Sequence, residues 1–254
     1  MSYYRQDPFR SHGSGVTIGI PSVTPVVRAL ILACGAVWLV QILFHFAGWM
    51  PLERILGVVP RDVVARGRVW QIGTYMFLHD PRQILHILLN MLVLWMFGSD
   101  LERHWGGKAF LRYYLVCGLG GGVFATLMGW LPSDEMPATA STIGASGAIF
   151  GVIVAFGTVF ADRTVLFMML FPMRARTMAM ILFGLTVFYT YMAIGAPGNV
   201  SHIGHLGGAV VGFLYLQRTW RIGTLFRELR WRVRRRRFRV MPPEDRDDFD
   251  RWVN

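Results

Sequence analysis

Charge is scarce in this chain, and acidic charge is scarcest. Of 254 residues only 16% are charged, with 15 Asp and Glu against 26 Lys and Arg, while 54% belong to the hydrophobic set. A soluble domain carries about 25% charged residues, so an ordinary water-facing surface is excluded for most of the length. There are only two cysteines, Cys34 and Cys117, both inside apolar runs. Neither their number nor their spacing fits a disulfide framework or a metal site. No H-E-x-x-H occurs, which removes the zinc-protease signature. No internal repeat is visible. A cleavable signal peptide is not expected: the first two dozen residues are polar with Gly and Ser, and the first apolar run is long enough to span.

What the chain has is long apolar runs. A membrane-spanning helix needs about 20 mostly apolar residues, and six candidates occur, at roughly 27–48, 83–102, 110–131, 143–161, 177–196 and 202–219. The expected fold is an all-α polytopic membrane protein with a six-span core over 25–219, a polar tail at 1–24 and a basic tail at 220–254. The apolar piece Val165–Phe171 is too short to span and is read as an interfacial loop.

The arginines orient the spans. Between Arg218 and Arg239 there are ten arginines and one acid, Glu228. Cytoplasmic flanks are enriched in Lys and Arg, so both tails are expected on the cytoplasmic side. This places Arg103, Lys108 and Arg112, and also Arg163, Arg174 and Arg176, in cytoplasmic loops. The loop at Ser133-Asp134-Glu135 has no basic residue and is expected outside, with the uncharged 195–200 loop. The 49–82 loop fits less well, with Arg54, Arg61, Arg66, Arg68 and Arg82 against three acids. So concentrated a basic tail points to anionic lipid, either as a positive-inside determinant or as an interfacial helix with Trp231 and Phe238 in lipid. Nucleic acid is not an expected partner.

Spans two, four and six then enter from the outer side, and each has unusual polar residues near its entry. His86 and Asn90 share one face of span two. Ser146 lies in the first turn of span four and His205 in the first turn of span six. A polar side chain in hydrocarbon needs a partner or a function. Each residue alone has an ordinary reading: a packing serine beside Gly147-x-x-x-Gly151, an interhelical histidine, polar glue. His202 is read as facing headgroups or capping its helix. Together the residues fill the roles of nucleophile, base and oxyanion donors for acyl transfer. Gly204, Gly208 and Gly212 make a smooth face on span six, and a helix packed there brings His205 to Ser146 if it is span four. Phe150, four residues after Ser146, is placed for the imidazole to stack on. No Asp or Glu lies in the outer half of any span to orient His205. The soluble-hydrolase elbow G-x-S-x-G is absent, because Phe150 is not its second glycine and no strand precedes it.

The set His86-Ile-Leu-Leu-Asn90, Gly144-Ala-Ser-Gly147 and His205-Leu-Gly-Gly208 resembles the rhomboid family of intramembrane serine proteases. Phe77-Leu-His79 and Gly98-Ser-Asp-Leu-Glu102…Gly106 resemble it too, over roughly residues 65–216. The resemblance implies Ser146 as nucleophile and His205 as general base, with His86, Asn90 and the Ser146 backbone N–H as oxyanion hole. It implies no cofactor, and as partners membrane lipid and transmembrane protein substrates cut near the outer interface at small or helix-breaking residues. It implies a structural role for Glu102. A bacterial plasma (inner) membrane is the expected location. Two positions depart from the family pattern. Phe150 stands where Tyr is frequent, and Trp70-Gln71 stands where Trp-Arg is frequent, with Arg68 just before.

Two other classes remain open on the sequence. A haem or metal membrane protein would use His86, His205 and His202 as ligands. A non-catalytic rhomboid-like client binder would typically lack the serine or the histidine. The orientation itself is testable. A cysteine at position 134 (Asp134→Cys) should be labelled from outside intact cells by an impermeant maleimide, and one at position 230 (Arg230→Cys) should not. Labelling of position 230 from outside defeats the orientation.

Overall fold

The computed structural model describes residues 22–130, 138–167, 170–192 and 202–218. Helix α1 (Pro25–Phe46) leads into a loop carrying three short helices, α2 (Glu53–Leu56), α3 (Pro60–Arg66) and α4 (Gln71–Thr74), and a 3-10 turn at Tyr75–Phe77. The next run, Ile84–Trp105, comprises α5 (Ile84–Val93), a π-helical turn at Leu94–Gly98 and α6 (Ser99–Trp105). Then come α7 (Gly107–Trp130), α8 (Ser146–Val159), the strands β1 (Thr164–Phe167) and β2 (Phe171–Arg174), α9 (Ala175–Met192), and a helix over 202–218, here α10.

Among the described residues, four helices are long and apolar enough to cross a membrane: α1, Ile84–Trp105, α7 and α9. A 22-residue helix is about 33 Å long, enough for a hydrocarbon core of about 30 Å. Large apolar side chains point outward along them. Leu32, Leu39 and Leu43 on α1, Leu85, Leu88 and Leu89 on α5, and Met180, Phe188 and Tyr191 on α9 are all exposed. A surface of that kind belongs in lipid.

Two elements differ from the sequence expectation. The fourth apolar run, expected over 143–161, is helical only from Ser146 to Val159, about 21 Å and too short to span alone. Its beginning is cut back because 138–145 is bound to the first loop. Val58 and Thr142 form an isolated antiparallel bridge, Arg61 N donates to Ala138 O at 2.9 Å, and Gly144 N donates to Tyr75 O at 3.0 Å. Gly144 itself has φ +123°, a conformation that ends helical continuity and that a side chain rarely adopts. Non-helical backbone is tolerated at membrane depth only where protein buries it; Thr142, Gly144 and Ala145 are buried. The second difference is the piece Val165–Phe171, which contributes to a β-hairpin. Its register pairs Thr164 with Arg174 and Leu166 with Pro172, so backbone groups too few for a span are satisfied locally. The N-terminal tail up to residue 21, the Ser133–Glu135 loop, the 195–200 loop and the 220–254 tail lie outside the described residues.

Close helix contact rests on glycine. A β-carbon on Gly208 of α10 would overlap the carbonyl oxygen of Gly147 in α8. One on Gly212 would sit 3.1 Å from the Gly151 Cα, and one on Gly147 2.7 Å from the Tyr75 Oη and 3.3 Å from the Gly204 carbonyl. Tyr75 and Tyr113, both almost fully buried, thread between these backbones. Their hydroxyls donate to the carbonyls of Gly118 and Gly151, each at 2.8 Å.

Polar ties hold the first helix and the first loop. The N-terminus of α1 is capped from α6. Glu102 accepts hydrogen bonds from Val26 N at 3.0 Å, Val27 N at 2.9 Å and the Thr24 hydroxyl, satisfying donors that a helix start leaves free. In the loop, Gln71 is buried, accepting from Val59 N at 3.1 Å and donating to Ile55 O at 3.3 Å. Arg68 and Arg66 both pair with Asp62, at 2.8 and 2.9 Å. Gln71 therefore braces the loop from within while Arg68 finds a local carboxylate. That pairing offsets part of the basic charge which made this loop the misfit in the orientation.

Gly208→Ala should lower the melting temperature sharply, because overpacking costs about 1–3 kcal/mol and the obstructing atom is backbone. Glu102→Ala should cost a similar amount by leaving cap donors unpaired, whereas Gly184→Ala, where a β-carbon meets nothing within 4 Å, should melt near wild type. Thermal unfolding in detergent reads all three.

Candidate active site

The glycine contact between α8 and α10 has a direct consequence. Ser146 opens α8 and His205 lies in the first turn of α10, and the close approach leaves His205 Nε2 2.6 Å from Ser146 Oγ across 59 residues of sequence. No larger residue at the Gly147–Gly208 crossing would permit it. A neutral imidazole with an acceptor at Nε2 is able to take a hydroxyl proton at this distance.

The imidazole is held by rings. Phe150, one turn along α8, stacks on His205 with centroids 4.7 Å apart and 20° between planes. His202 meets the His205 ring nearly perpendicular, centroids 5.8 Å apart, and itself stacks on Tyr189 of α9. The chain Phe150, His205, His202, Tyr189 thus links three helices. The sequence pattern left His202 either facing the headgroups or capping its helix, and gave Tyr189 no part. A histidine one turn before a base was visible in the sequence; that it packs against that base was not.

His86 approaches the same point from α5. A β-carbon on Gly144 would sit 2.9 Å from His86 Nε2 and 3.5 Å from Ser146 Oγ, so the imidazole and the hydroxyl border one small volume that only a glycine leaves open. His86 Nδ1 accepts from the backbone N–H of Asp80 at 3.4 Å. An acceptor at Nδ1 leaves the proton of the neutral ring on Nε2, the nitrogen that faces Gly144 and Ser146. The Ser146 N–H belongs to the first turn of α8, where backbone donors have no intrahelical partner and the helix dipole favours negative charge. Asn90 is engaged differently: its side-chain amide donates to the His86 carbonyl at 2.7 Å, which leaves one N–H of the amide for another acceptor.

Residues behind the site were not legible in advance. His79 is fully buried, its ring 5.2 Å from that of His86, and burial with the neighbouring imidazole holds it down to about 4. It is neutral at pH 7. Gln41 of α1 accepts from the His79 backbone N–H at 3.0 Å, and Trp38 donates to the Asp80 carbonyl at 3.3 Å. The first helix thereby holds the turn that orients His86. A buried glutamine in an otherwise apolar span was the available signal.

A family model described as Rhomboid domain matches residues 66–222, more than half of the chain and a range that includes His86, Asn90, Ser146 and His205. The chain belongs to the rhomboid family. It is 30% identical over 158 residues to the rhomboid protease GluP of Bacillus subtilis, covering 62% of this chain and 27% of the relative. It is 29% identical over 136 residues to rhomboid protein 1, mitochondrial, of Saccharomyces cerevisiae, covering 53% and 38%. It is 30% identical over 165 residues to rhomboid-like protease 3 of Toxoplasma gondii, covering 64% and 57%. This rhomboid chain thus spans between roughly a quarter and three fifths of these relatives' lengths. Its apolar helices and its family make it an integral membrane protein.

The 2.6 Å contact leads us to expect that reactivity at Ser146 depends on His205. A fluorophosphonate probe should label the wild type at Ser146, and His205→Ala should reduce the labelling rate by at least about 10²-fold. Phe150→Ala should slow it less, while Phe150→Tyr should label like wild type. Undiminished labelling of Ser146→Ala protein would assign the reactivity to another serine.

Proposed function

We propose that this rhomboid is an intramembrane serine endopeptidase that cleaves transmembrane segments of membrane proteins near the outer interface. The observation that carries the proposal is the 2.6 Å approach of His205 Nε2 to Ser146 Oγ at the start of a helix buried among others. That contact engages the nitrogen a haem ligand would need, which favours acyl transfer over ligation by His86 and His205.

In the proposed mechanism Ser146 Oγ attacks the peptide carbonyl as its proton passes to His205. The oxyanion forms beside Gly144, with donors in His86 Nε2–H, the Ser146 N–H and the remaining amide N–H of Asn90. His205 then protonates the leaving amine and deprotonates the water that hydrolyses the acyl-enzyme. No carboxylate partners His205 in this scheme. Stacking on Phe150 fixes the ring plane, and the neutral dyad avoids placing an isolated charge among apolar helices. Water is the second substrate, and a polar cavity of about 220 Å³ beside the site-bearing turn, lined in part by Gln41, Glu53, Asp80 and Arg82, is suited to supply it.

The same proposal takes α8 and α10 as the fourth and sixth spans, shielded by α1, α7 and α9. Both tails are cytoplasmic, the site lies toward the outer face, and the substrates are transmembrane proteins with small or helix-breaking residues there. A bacterial plasma membrane suits this arrangement, while one relative is mitochondrial by name.

Cleavage of a model transmembrane substrate by wild type and not by Ser146→Ala is the test; cleavage by both ends the proposal. Asn90→Ala separates the roles of the amide. As an oxyanion donor its loss should lower kcat by roughly 10²–10³ with little change in KM, less than Ser146→Ala does. If Asn90→Ala melts much earlier yet cleaves at the wild-type rate while folded, the residue only braces α5.

A further inference from the structure

At the opposite end of α8 from Ser146, an apolar groove of about 350 Å³ opens between α8, α9 and α10. Val154 and Thr158 of α8, Met180 and Phe183 of α9, and Val210 and Phe213 of α10 line it. Its one charged lining residue is Arg176, in the first turn of α9. The groove has a physical origin. A β-carbon on Gly157 would run into Ala179 and lie 3.2 Å from the Ala175 carbonyl, so α8 and α9 pinch together at this end. Beyond the pinch α9 is lightly packed, with only 17% of its most apolar window buried.

The charge at the mouth selects the occupant. Arg174 and Arg176 both turn toward one carboxylate, Asp162, at 3.8 and 3.6 Å. These distances exceed a hydrogen bond, and all three side chains are about half exposed or more. Arg163 is the third cation here; it is spoken for by Asp100 at 2.5 Å and lies over the Phe156 and Phe160 rings. Among the described residues, two arginines sharing one distant carboxylate leave guanidinium donors available to an anion at the mouth of an apolar channel. From Arg176 to Phe183 the channel follows α9 for roughly 10 Å, room for about half of an acyl chain.

We propose that this groove is a binding site for one anionic phospholipid. Its phosphate sits on Arg176, with Arg174 beside it, and one acyl chain lies between α9 and the α8–α10 pair. A substrate helix is a poorer match, because the cytoplasmic flanks of membrane proteins are themselves basic and would meet these arginines with like charge. The bound chain supplies packing that α9 lacks from protein, so the lipid ties α9 to the catalytic helices from the side opposite the site. This inference does not depend on the proposed chemistry.

The test uses the full chain in a neutral detergent, supplemented with dioleoylphosphatidylglycerol or with dioleoylphosphatidylcholine. Native mass spectrometry should find one phosphatidylglycerol retained per chain, and the melting temperature should rise by about 4 °C more than with phosphatidylcholine. Arg176→Gln should abolish the difference, Arg176→Lys should keep part of it, and Arg112→Gln, a basic position away from the groove, should leave it intact. Val210→Trp should fill the groove and displace the lipid even if Arg176→Gln fails to fold. A photocrosslinking residue at Met180 should capture lipid. Equal shifts with both lipids, equal loss in Arg112→Gln, or capture at Met180 of a second copy or of an added transmembrane substrate overturns the proposal.

Discussion

The contact on which the rest depends is backbone against backbone: the Gly147 carbonyl of α8 against Gly208 of α10. In lipid there is no hydrophobic force drawing helices together, and close association comes from packing that small residues permit. Here that packing fixes chemistry as well as stability. Only at this separation does an imidazole on one helix reach a hydroxyl on the other at 2.6 Å, and only with Tyr75 filling the remaining space is the pair braced from the side.

The site is assembled by a second constraint, the conversion of the serine's helix into a short one. Residues 138–145 give up helical hydrogen bonds and take partners in the first loop, at Val58, Arg61 and Tyr75. The first turn of α8, with its unpaired N–H groups and positive dipole end, thereby comes to lie inside protein. His86 is held to the same point from the other direction through Asp80, Trp38 and Gln41. The loop that looks peripheral by sequence is thus the frame that holds His86 and the start of α8 together, and Glu102 anchors the helix that supports that frame.

The two faces of the molecule are specialised by different physics. Toward the proposed outer side, polar groups are buried in rings and backbone, and among the described residues no carboxylate is paired with Ser146 or His205. Toward the arginine side, Asp100 links Arg103 to Arg163, and the hairpin and the first turn of α9 present cations at an apolar groove. Buried neutral groups suit a reaction that develops one transient charge. Exposed cations suit an anionic lipid surface.

Sequence alone determined that this chain lives in a membrane, since apolar runs of about 20 residues admit few other solutions. It also supplied Ser146, His205, His86 and Asn90 as the polar residues without an obvious partner, and Phe150 as the ring four residues from the serine. Those readings follow from local chemistry and helical period, which a linear pattern carries. Tertiary structure alone decided where α8 begins, because only the pairing of 138–145 with a distant loop stops the apolar run from continuing as helix. It decided that Asn90 turns one amide hydrogen back onto its own helix, that His202 packs on His205, and that Gln41 and Trp38 hold the turn before His86. Each of these is a contact between segments far apart in the chain, formed because helices pack where glycines let them, and no local pattern encodes which faces will meet.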